Sequence, residues 1–171
     1  MVHTKGHIGT GLVGAQYLNR VLSDNGRPDI SWKLATNTDY PSWGYMVEHD
    51  ATTIWELWNG DTANPAMNSH NHVMLVGDLN VWFYQYLGGI KPAAPGYKEI
   101  TLQPYLVDGL DYVKCSQDTP YGKIVSNWKR NGQDFVWNIE IPANTTATVK
   151  IPDGNTQILG SGKYTIKTVL K

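Results

Sequence analysis

The sequence predicts a helical unit followed in series by an antiparallel β-sandwich. Up to about residue 92 the apolar residues recur at spacings of three and four, the helical period. From about residue 96 they alternate singly with polar residues, the period of a half-buried strand. Between the two, Lys91-Pro92-Ala93-Ala94-Pro95-Gly96 reads as a linker. Helices first and strands second describe two units in series, 1–92 and 96–171, and not an interleaved α/β sheet.

In the first unit, Leu12, Ala15, Leu18 and Leu22 fall on one helical face. Asp24-Asn25-Gly26 supplies the stop, with Gly26 suited to a left-handed cap. A second helix begins at Pro28-Asp29 and carries Ile30, Trp32 and Leu34, and Pro41-Ser42 opens a shorter turn with Trp43, Tyr45 and Met46. The longest helix is expected from about Asn71 to Leu87, with Val73, Val76, Phe83 and Leu87 on one face and Gly88-Gly89 as its end. Between Asp50 and Ser69 lies a polar loop rich in Thr, Asn and Trp. A loop of this length in a compact domain is usually functional or disordered, and its aromatic residues argue against disorder.

In the second unit, alternation runs through Ile100 and Leu102, then Ile124, Ser126 and Trp128, then Phe135, Trp137, Ile139 and Ile141, then Ala147, Val149 and Ile151. Asn131-Gly132 between two of these runs is a hairpin signal, and Asp153-Gly154 marks another turn. Tyr164, Ile166 and Val169 suggest a closing strand. Roughly seven short strands of this kind make a sandwich.

Composition removes several function classes. A net charge of −1 with scattered basic residues lacks the electrostatic footprint of a nucleic-acid binder. No apolar run approaches the roughly 18–20 residues of a membrane span. Cys115 is the single cysteine, so no intrachain disulfide forms, and a buried structural thiol is its default role. The opening MVHTKGHIGTG has no apolar h-region and does not read as a signal peptide. It enters motif-like sequence at once, as a chain cut from something larger would.

The stretch Tyr40–Asn59 is the densest in chemistry. It sets Glu56 among Trp43, Trp55, Trp58 and, further on, Trp82, with tyrosines at 40 and 45. Any one of these rings alone is an ordinary core residue. Together around one carboxylate they suit a cleft in which sugar rings stack on aromatic faces and a positioned acid or base does proton chemistry.

The segments GHIGTGLVG, DYPSWGYMVEHDATTIWELWNG and NSHNHVMLVGDLNVWFYQYLGGIKP resemble the C-terminal part of bacterial α-L-rhamnosidases of glycoside hydrolase family 78. PGYKEITLQP and IPANTTATVKIP extend the resemblance over nearly the whole chain in the same order. It implies that the first half is the last helices of an (α/α)6 barrel and the second a C-terminal β-sandwich. The substrate it implies is a rhamnose-containing glycoside or polysaccharide, cleaved with inversion and without a cofactor. It carries the general base onto Glu56, the glutamate of TTIWE, and a sugar-contacting histidine onto His72. Trp43, Trp55 and Trp58 are the candidate substrate-binding rings. An inverting enzyme also needs a protonated carboxyl about 6.5–9.5 Å from the base. In the family that acid sits in an upstream acidic motif with arginine and tryptophan, and nothing in this chain resembles it. The chain alone is therefore expected to be inactive, and a truncated barrel should expose an apolar helical face that drives association. Asp50-Ala51 stands before TTIWE where the family leads one to expect Gly-Ala, and His70 beside His72 is also atypical.

Other readings are weaker. His49, His70 and His72 suggest a metal cluster, but an i, i+2 spacing does not put two ligands on one helical face and no cysteine or ordered acid accompanies them. GTGLVG has glycines but no preceding strand and no acidic ribose partner, so it does not make a nucleotide site. Asn144-Thr145-Thr146 matches a glycosylation sequon and reads as an exposed strand connection. A non-enzymatic carbohydrate-binding module and a purely structural C-terminal piece are the alternatives to a hydrolase fragment. Few aromatic residues beyond Gly96 are placed to line a sandwich face, which disfavours the binding module.

Overall fold

The computed structural model describes residues 6–170 and divides the chain into two compact units, residues 1–82 and 83–171. The helical unit holds α1 (Leu12–Asp24), α2 (Pro28–Thr36), α3 (Trp43–Glu48) and α4 (Val73–Trp82). Pro28 opens α2 at a first-turn position where its missing N–H is no loss. Ser42 caps α3, its Oγ accepting from the Tyr45 N–H at 2.9 Å.

Helix α1 packs against α2 and α4 through small polar residues. Ala15 is buried as expected, but Leu12, Leu18 and Leu22 are only half-buried, and the positions fully enclosed beside Ala15 are Asn19 and Ser23. Ser31 Oγ donates to the Asn19 carbonyl at 3.0 Å, and the Trp82 indole N–H donates to Ser23 Oγ at 2.8 Å. Small side chains let the helices approach closely, and the hydroxyls of Ser23 and Ser31 both find partners. The opposite stripe of α1, Val13, Tyr17 and Val21 at i, i+4 and i+8, is exposed by 74%, 56% and 54%.

The buried line of α4 differs from the expected one. Val73 is 73% exposed and Phe83 37%, while Leu75, Leu79 and Trp82 are enclosed. The segment 73–82 carries apolar residues almost all round, so its pattern contains no phase information.

The second unit opens with a π turn, Phe83–Leu87, and continues as eight strands among the described residues. They are β1 (Ile90–Pro92), β2 (Glu99–Leu102), β3 (Tyr112–Thr119), β4 (Gly122–Asn131), β5 (Asp134–Ile141), β6 (Thr146–Lys150), β7 (Thr156–Leu159) and β8 (Gly162–Val169). One sheet has the order β1-β2-β6-β7 and the other β3-β4-β5-β8. All pairings are antiparallel except β2 with β6, which run parallel from Glu99↔Thr146 to Leu102↔Val149. The alternating residues meet between the sheets: Ile100, Leu102, Ala147 and Val149 from one, and Ile124, Trp128, Phe135, Trp137, Ile139 and Ile141 from the other. The Asn131-Gly132 signal is a two-residue turn, with Asn131 facing Asp134 and Gly132 at φ 58°.

Three expectations change here. The supposed linker is strand β1 followed by a turn at Pro95–Tyr97; Pro92 fits because it ends a strand at a sheet edge, where no ladder donor is required. Strand β3 carries polar residues on both faces and so gives little alternation. In β8 the inward phase passes through Tyr164, Ile166 and Thr168, leaving Val169 57% exposed.

Four consecutive carbonyls at the end of the π turn are claimed by the sandwich. Tyr86 O accepts from the Tyr105 N–H, Leu87 O from the Trp128 indole, Gly88 O from Ser126 Oγ and Gly89 O from the Gln103 N–H, at 2.6–2.9 Å. Gly89 sits at φ 72°, and a Cβ there would collide with the Gln103–Pro104 backbone, so both conformation and space require glycine. Cys115 is a half-buried free thiol packed beside Gly88, and burial pushes its pKa up to about 11, leaving it protonated at neutral pH.

Ser126 also accepts from the Trp137 indole at 2.9 Å, so one buried hydroxyl serves two groups. Ser126→Ala strands a buried N–H and a buried carbonyl together and is expected to cost about 2–6 kcal/mol, at about 1–3 for each stranded group. In urea unfolding the midpoint should fall with an unchanged m-value; a midpoint within error of the parent would remove Ser126 from the account.

Candidate functional site

The residues singled out in the sequence lie on α3 and on the long loop that follows it. Helix α3 ends in a Schellman motif: Ala51 N–H bonds Met46 O at 2.9 Å and Asp50 N–H bonds Val47 O at 3.2 Å. The residue in the left-handed position is Asp50, at φ 58°. This explains why glycine is the expected residue there; aspartate is one of the few side chains that tolerate this region.

From Thr53 the loop runs out, turns near Asn59–Met67, and returns antiparallel to itself. Backbone bonds join Glu56 N–H to Ser69 O at 2.8 Å and His72 N–H to Ile54 O at 2.7 Å. Thr53 Oγ1 donates to His70 O. Asn68 bridges the arms twice: its Oδ1 accepts from the Leu57 N–H at 3.1 Å and its Nδ2 donates to Gly60 O at 3.4 Å. His70 Nε2 lies 3.2 Å from the same Gly60 carbonyl.

Glu56 lies in the middle of this ribbon, half-buried. Its Oε2 accepts from the Ser69 N–H at 3.0 Å, and Oε1 accepts no hydrogen bond among the described residues. One oxygen is thus tied to the ribbon backbone and the other carries no hydrogen bond.

The aromatic residues divide by burial. Trp43 is 3% exposed and Trp55 5%. Trp55 underlies the ribbon, with its ring 5.8 Å from His70 and so close to Gly60 that a Cβ there would stand 2.6 Å from the indole. Trp43 meets Trp58 edge-on at 5.0 Å, and Trp58, half-buried, donates its indole N–H to Thr10 O at 3.1 Å. Trp82 belongs to the helical core through its bond to Ser23. Tyr45 stacks on His49 at 3.9 Å and donates its hydroxyl to Asp61 at 3.0 Å; burial first, then the Asp61 carboxylate, raise its pKa. The Tyr40–Pro41 peptide bond is cis, and Tyr40 meets Tyr45 edge-on at 5.5 Å. His49 Nδ1 lies 2.9 Å from the Tyr45 carbonyl. Both His49 and His70 are thus engaged with backbone or ring partners, and no cluster of three metal-ligating side chains occurs among the described residues.

His72 is half-buried, and its Nδ1, like Trp43 Nε1, is enclosed without a hydrogen-bond partner. A hollow of about 290 Å³ opens beside the ribbon, lined by Met46, Val47, Thr52, Thr53, Ile54 and Asn71, among others; Glu56 is not on its wall. Sequence reasoning missed Asn68 and Ser69. The signal available was a side-chain amide next to the turn, able to stand in for a backbone partner.

Helices carrying this ribbon, followed by a β-sandwich, have the order of two adjacent domains that known family models describe. Residues 1–87 match the family model for the bacterial alpha-L-rhamnosidase 6 hairpin glycosidase domain, and residues 89–165 the model for the bacterial alpha-L-rhamnosidase C-terminal domain. The chain belongs to the bacterial α-L-rhamnosidase family. An α-L-rhamnosidase of Formosa agariphila is 37% identical over 158 residues, covering 90% of this chain and 17% of the relative. The structure of Streptomyces avermitilis α-L-rhamnosidase complexed with L-rhamnose superposes with a TM-score of 0.92 at 29% identity, covering 98% of this chain and 19% of that one. The α-L-rhamnosidase from Dictyoglumus thermophilum gives a TM-score of 0.91 at 29% identity, with 98% and 22% covered. The chain thus spans about a fifth of the length of the relatives it matches.

The left-handed Asp50 yields a stability test. Asp50→Gly should leave stability unchanged or raise it by up to about 1 kcal/mol, whereas Asp50→Val should cost more than about 1 kcal/mol, because a β-branched side chain resists positive φ. Thermal unfolding of the three proteins side by side checks the order, and a valine variant as stable as the parent would refute it.

Proposed function

We propose that this chain is the C-terminal part of an inverting glycoside hydrolase that releases terminal α-L-rhamnose from glycosides or polysaccharides, with Glu56 as its general base. The observation that carries the reading is the carboxylate of Glu56, tethered through Oε2 to the Ser69 amide with Oε1 unclaimed, within a TTIWE segment of a chain of this family. In such a reaction Oε1 accepts a proton from the water that attacks the anomeric carbon. The Ser69 amide meanwhile keeps the carboxylate from rotating away. The leaving oxygen takes its proton from a second carboxyl, which in the family lies in the acidic motif that has no counterpart in this chain.

His72 is the proposed sugar contact, its enclosed Nδ1 having no partner of its own. Of the three tryptophans, Trp58 is the proposed platform for the sugar face, since it alone keeps part of its surface open. Trp43 and Trp55 are enclosed and act as the packing that holds Trp58 and the ribbon in place. The exposed stripe Val13, Tyr17 and Val21 supports the reading of the helical unit as one portion of a barrel, a face that further hairpins would cover. The same stripe would promote self-association of the chain on its own. The unpaired buried atoms agree: Thr10 Oγ1, Asn19 Oδ1, Trp43 Nε1 and His72 Nδ1 all belong to the helical unit.

In the full-length enzyme that carries this chain, Glu56→Gln should lower kcat on an aryl α-L-rhamnoside by on the order of 10³-fold or more, since proton transfer and water orientation are lost together. NMR of the first-formed sugar should show the inverted anomer. Near-normal turnover by the variant would move Glu56 to a structural role.

The 171-residue chain by itself should show no rhamnosidase activity. Assayed beside its Glu56→Ala variant to control for contaminating enzyme, turnover abolished by that substitution would mean that the chain holds or assembles a complete site.

A further inference from the structure

We infer that Asn68 is a positioning residue for the base, acting on the attacking water through Glu56; the inference rests on Glu56 being the base. The two arms of the ribbon are joined by backbone bonds on one side of Glu56, at Ile54–His72, and at Glu56–Ser69 itself. Beyond Glu56 the backbone pairing gives way: the Leu57 N–H bonds the side chain of Asn68, the residue that closes the Pro65–Met67 turn, and no backbone carbonyl. Asn68, extended at φ −139° and ψ 123°, fills the gap with its side chain. Its Oδ1 takes the Leu57 N–H as a carbonyl would, and its Nδ2 supplies Gly60 O as an amide would.

The consequence for chemistry lies one bond away. Asn68 immediately precedes Ser69, whose N–H is the donor to Glu56 Oε2. The direction of that N–H is set by the plane of the Asn68–Ser69 peptide, and Asn68's two side-chain bonds hold that plane against the outgoing arm. Only an amide of this length does both jobs. Alanine provides neither bond, and aspartate keeps the acceptor for Leu57 but turns a negative oxygen toward Gly60 O. With Asn68 gone, the Ser69 N–H is no longer aimed, the carboxylate gains freedom, and Oε1 meets the water out of line. Misplacement of about 1 Å at a reacting group can cost about 10²-fold. The sugar does not touch Asn68 in this account, so substrate affinity is unaffected.

The test is a double-mutant cycle in the full-length enzyme that carries this chain. Asn68→Ala should lower kcat by about 10–100-fold with KM held within about 3-fold. In the Glu56→Gln background the same substitution should cost nothing further, because the group it positions is already disabled. Asn68→Asp, which retains the Leu57 acceptor, should recover part of kcat, and it is the variant to read should Asn68→Ala not fold. Equal losses in the parent and Glu56→Gln backgrounds, or a rise in KM with kcat intact, would overturn the positioning role while leaving the base assignment standing. Full activity of Glu56→Gln itself would overturn both.

Discussion

The second unit depends on one requirement: the carbonyls that end a helix must not be buried unpaired. A helix leaves its last carbonyls without internal partners, and here Tyr86, Leu87, Gly88 and Gly89 are all enclosed. The sandwich answers with four donors drawn from two segments: the backbone amides of Gln103 and Tyr105 after β2, and the Ser126 hydroxyl and Trp128 indole on β4. This explains features that otherwise look unrelated. Gly88 and Gly89 are small because the backbone lies against Cys115 and the Gln103–Pro104 peptide. Ser126 occupies an inward strand position that would ordinarily be apolar. Trp128 and Trp137 contribute bulk to the core and polar handles to the network at once.

The loop around Glu56 follows the same rule with different parts. Where backbone can pair across the ribbon it does; where it cannot, an asparagine side chain stands in. The Glu56 carboxylate on this ribbon is held by several weak constraints, of which only the Ser69 N–H touches it directly. Asp50 shows the local cost. The turn that launches the ribbon requires a left-handed residue, and the chain meets it with aspartate instead of glycine, which keeps the geometry and adds an exposed charge.

How much of this was legible depended on whether a residue's role leaves a periodic or a chemical trace. Strands β4, β5 and β6 were readable because Ile124, Phe135, Ile139 and Val149 bury one clean face. Strand β3 was not, since Tyr112–Thr119 mixes polar residues on both sides, and β1 was hidden behind the prolines that follow it. Helix α4 was readable as a helix, but its phase was not: a segment apolar on every side does not say which side is covered. The inner stripe of α1 misled in the opposite sense, because Asn19 and Ser23 are enclosed for hydrogen bonding and closeness. At the candidate site, Glu56 and the aromatic residues were singled out through density, and family resemblance supplied the expected role of Glu56 and the choice of His72. Asn68 left only the trace of a side-chain amide beside a turn, and Ser69 left none, because its contact is made by the backbone N–H.

The single parallel ladder between β2 and β6 bears on the order in which the sandwich forms. Strands β1 and β2 are neighbours in sequence, as are β6 and β7, but the two pairs meet only through this ladder. Everything between them is the β3–β4–β5 meander, whose hairpins are local. Local pairings close first, and distant ones wait on the entropy of the intervening chain. By that rule the β3–β4–β5 meander and the β1–β2 and β6–β7 pairs are expected to form ahead of the β2–β6 ladder that joins those two pairs. Ile100, Leu102, Ala147 and Val149 flank that ladder on its buried face, so a chain in which it has not closed is expected to present them as apolar surface.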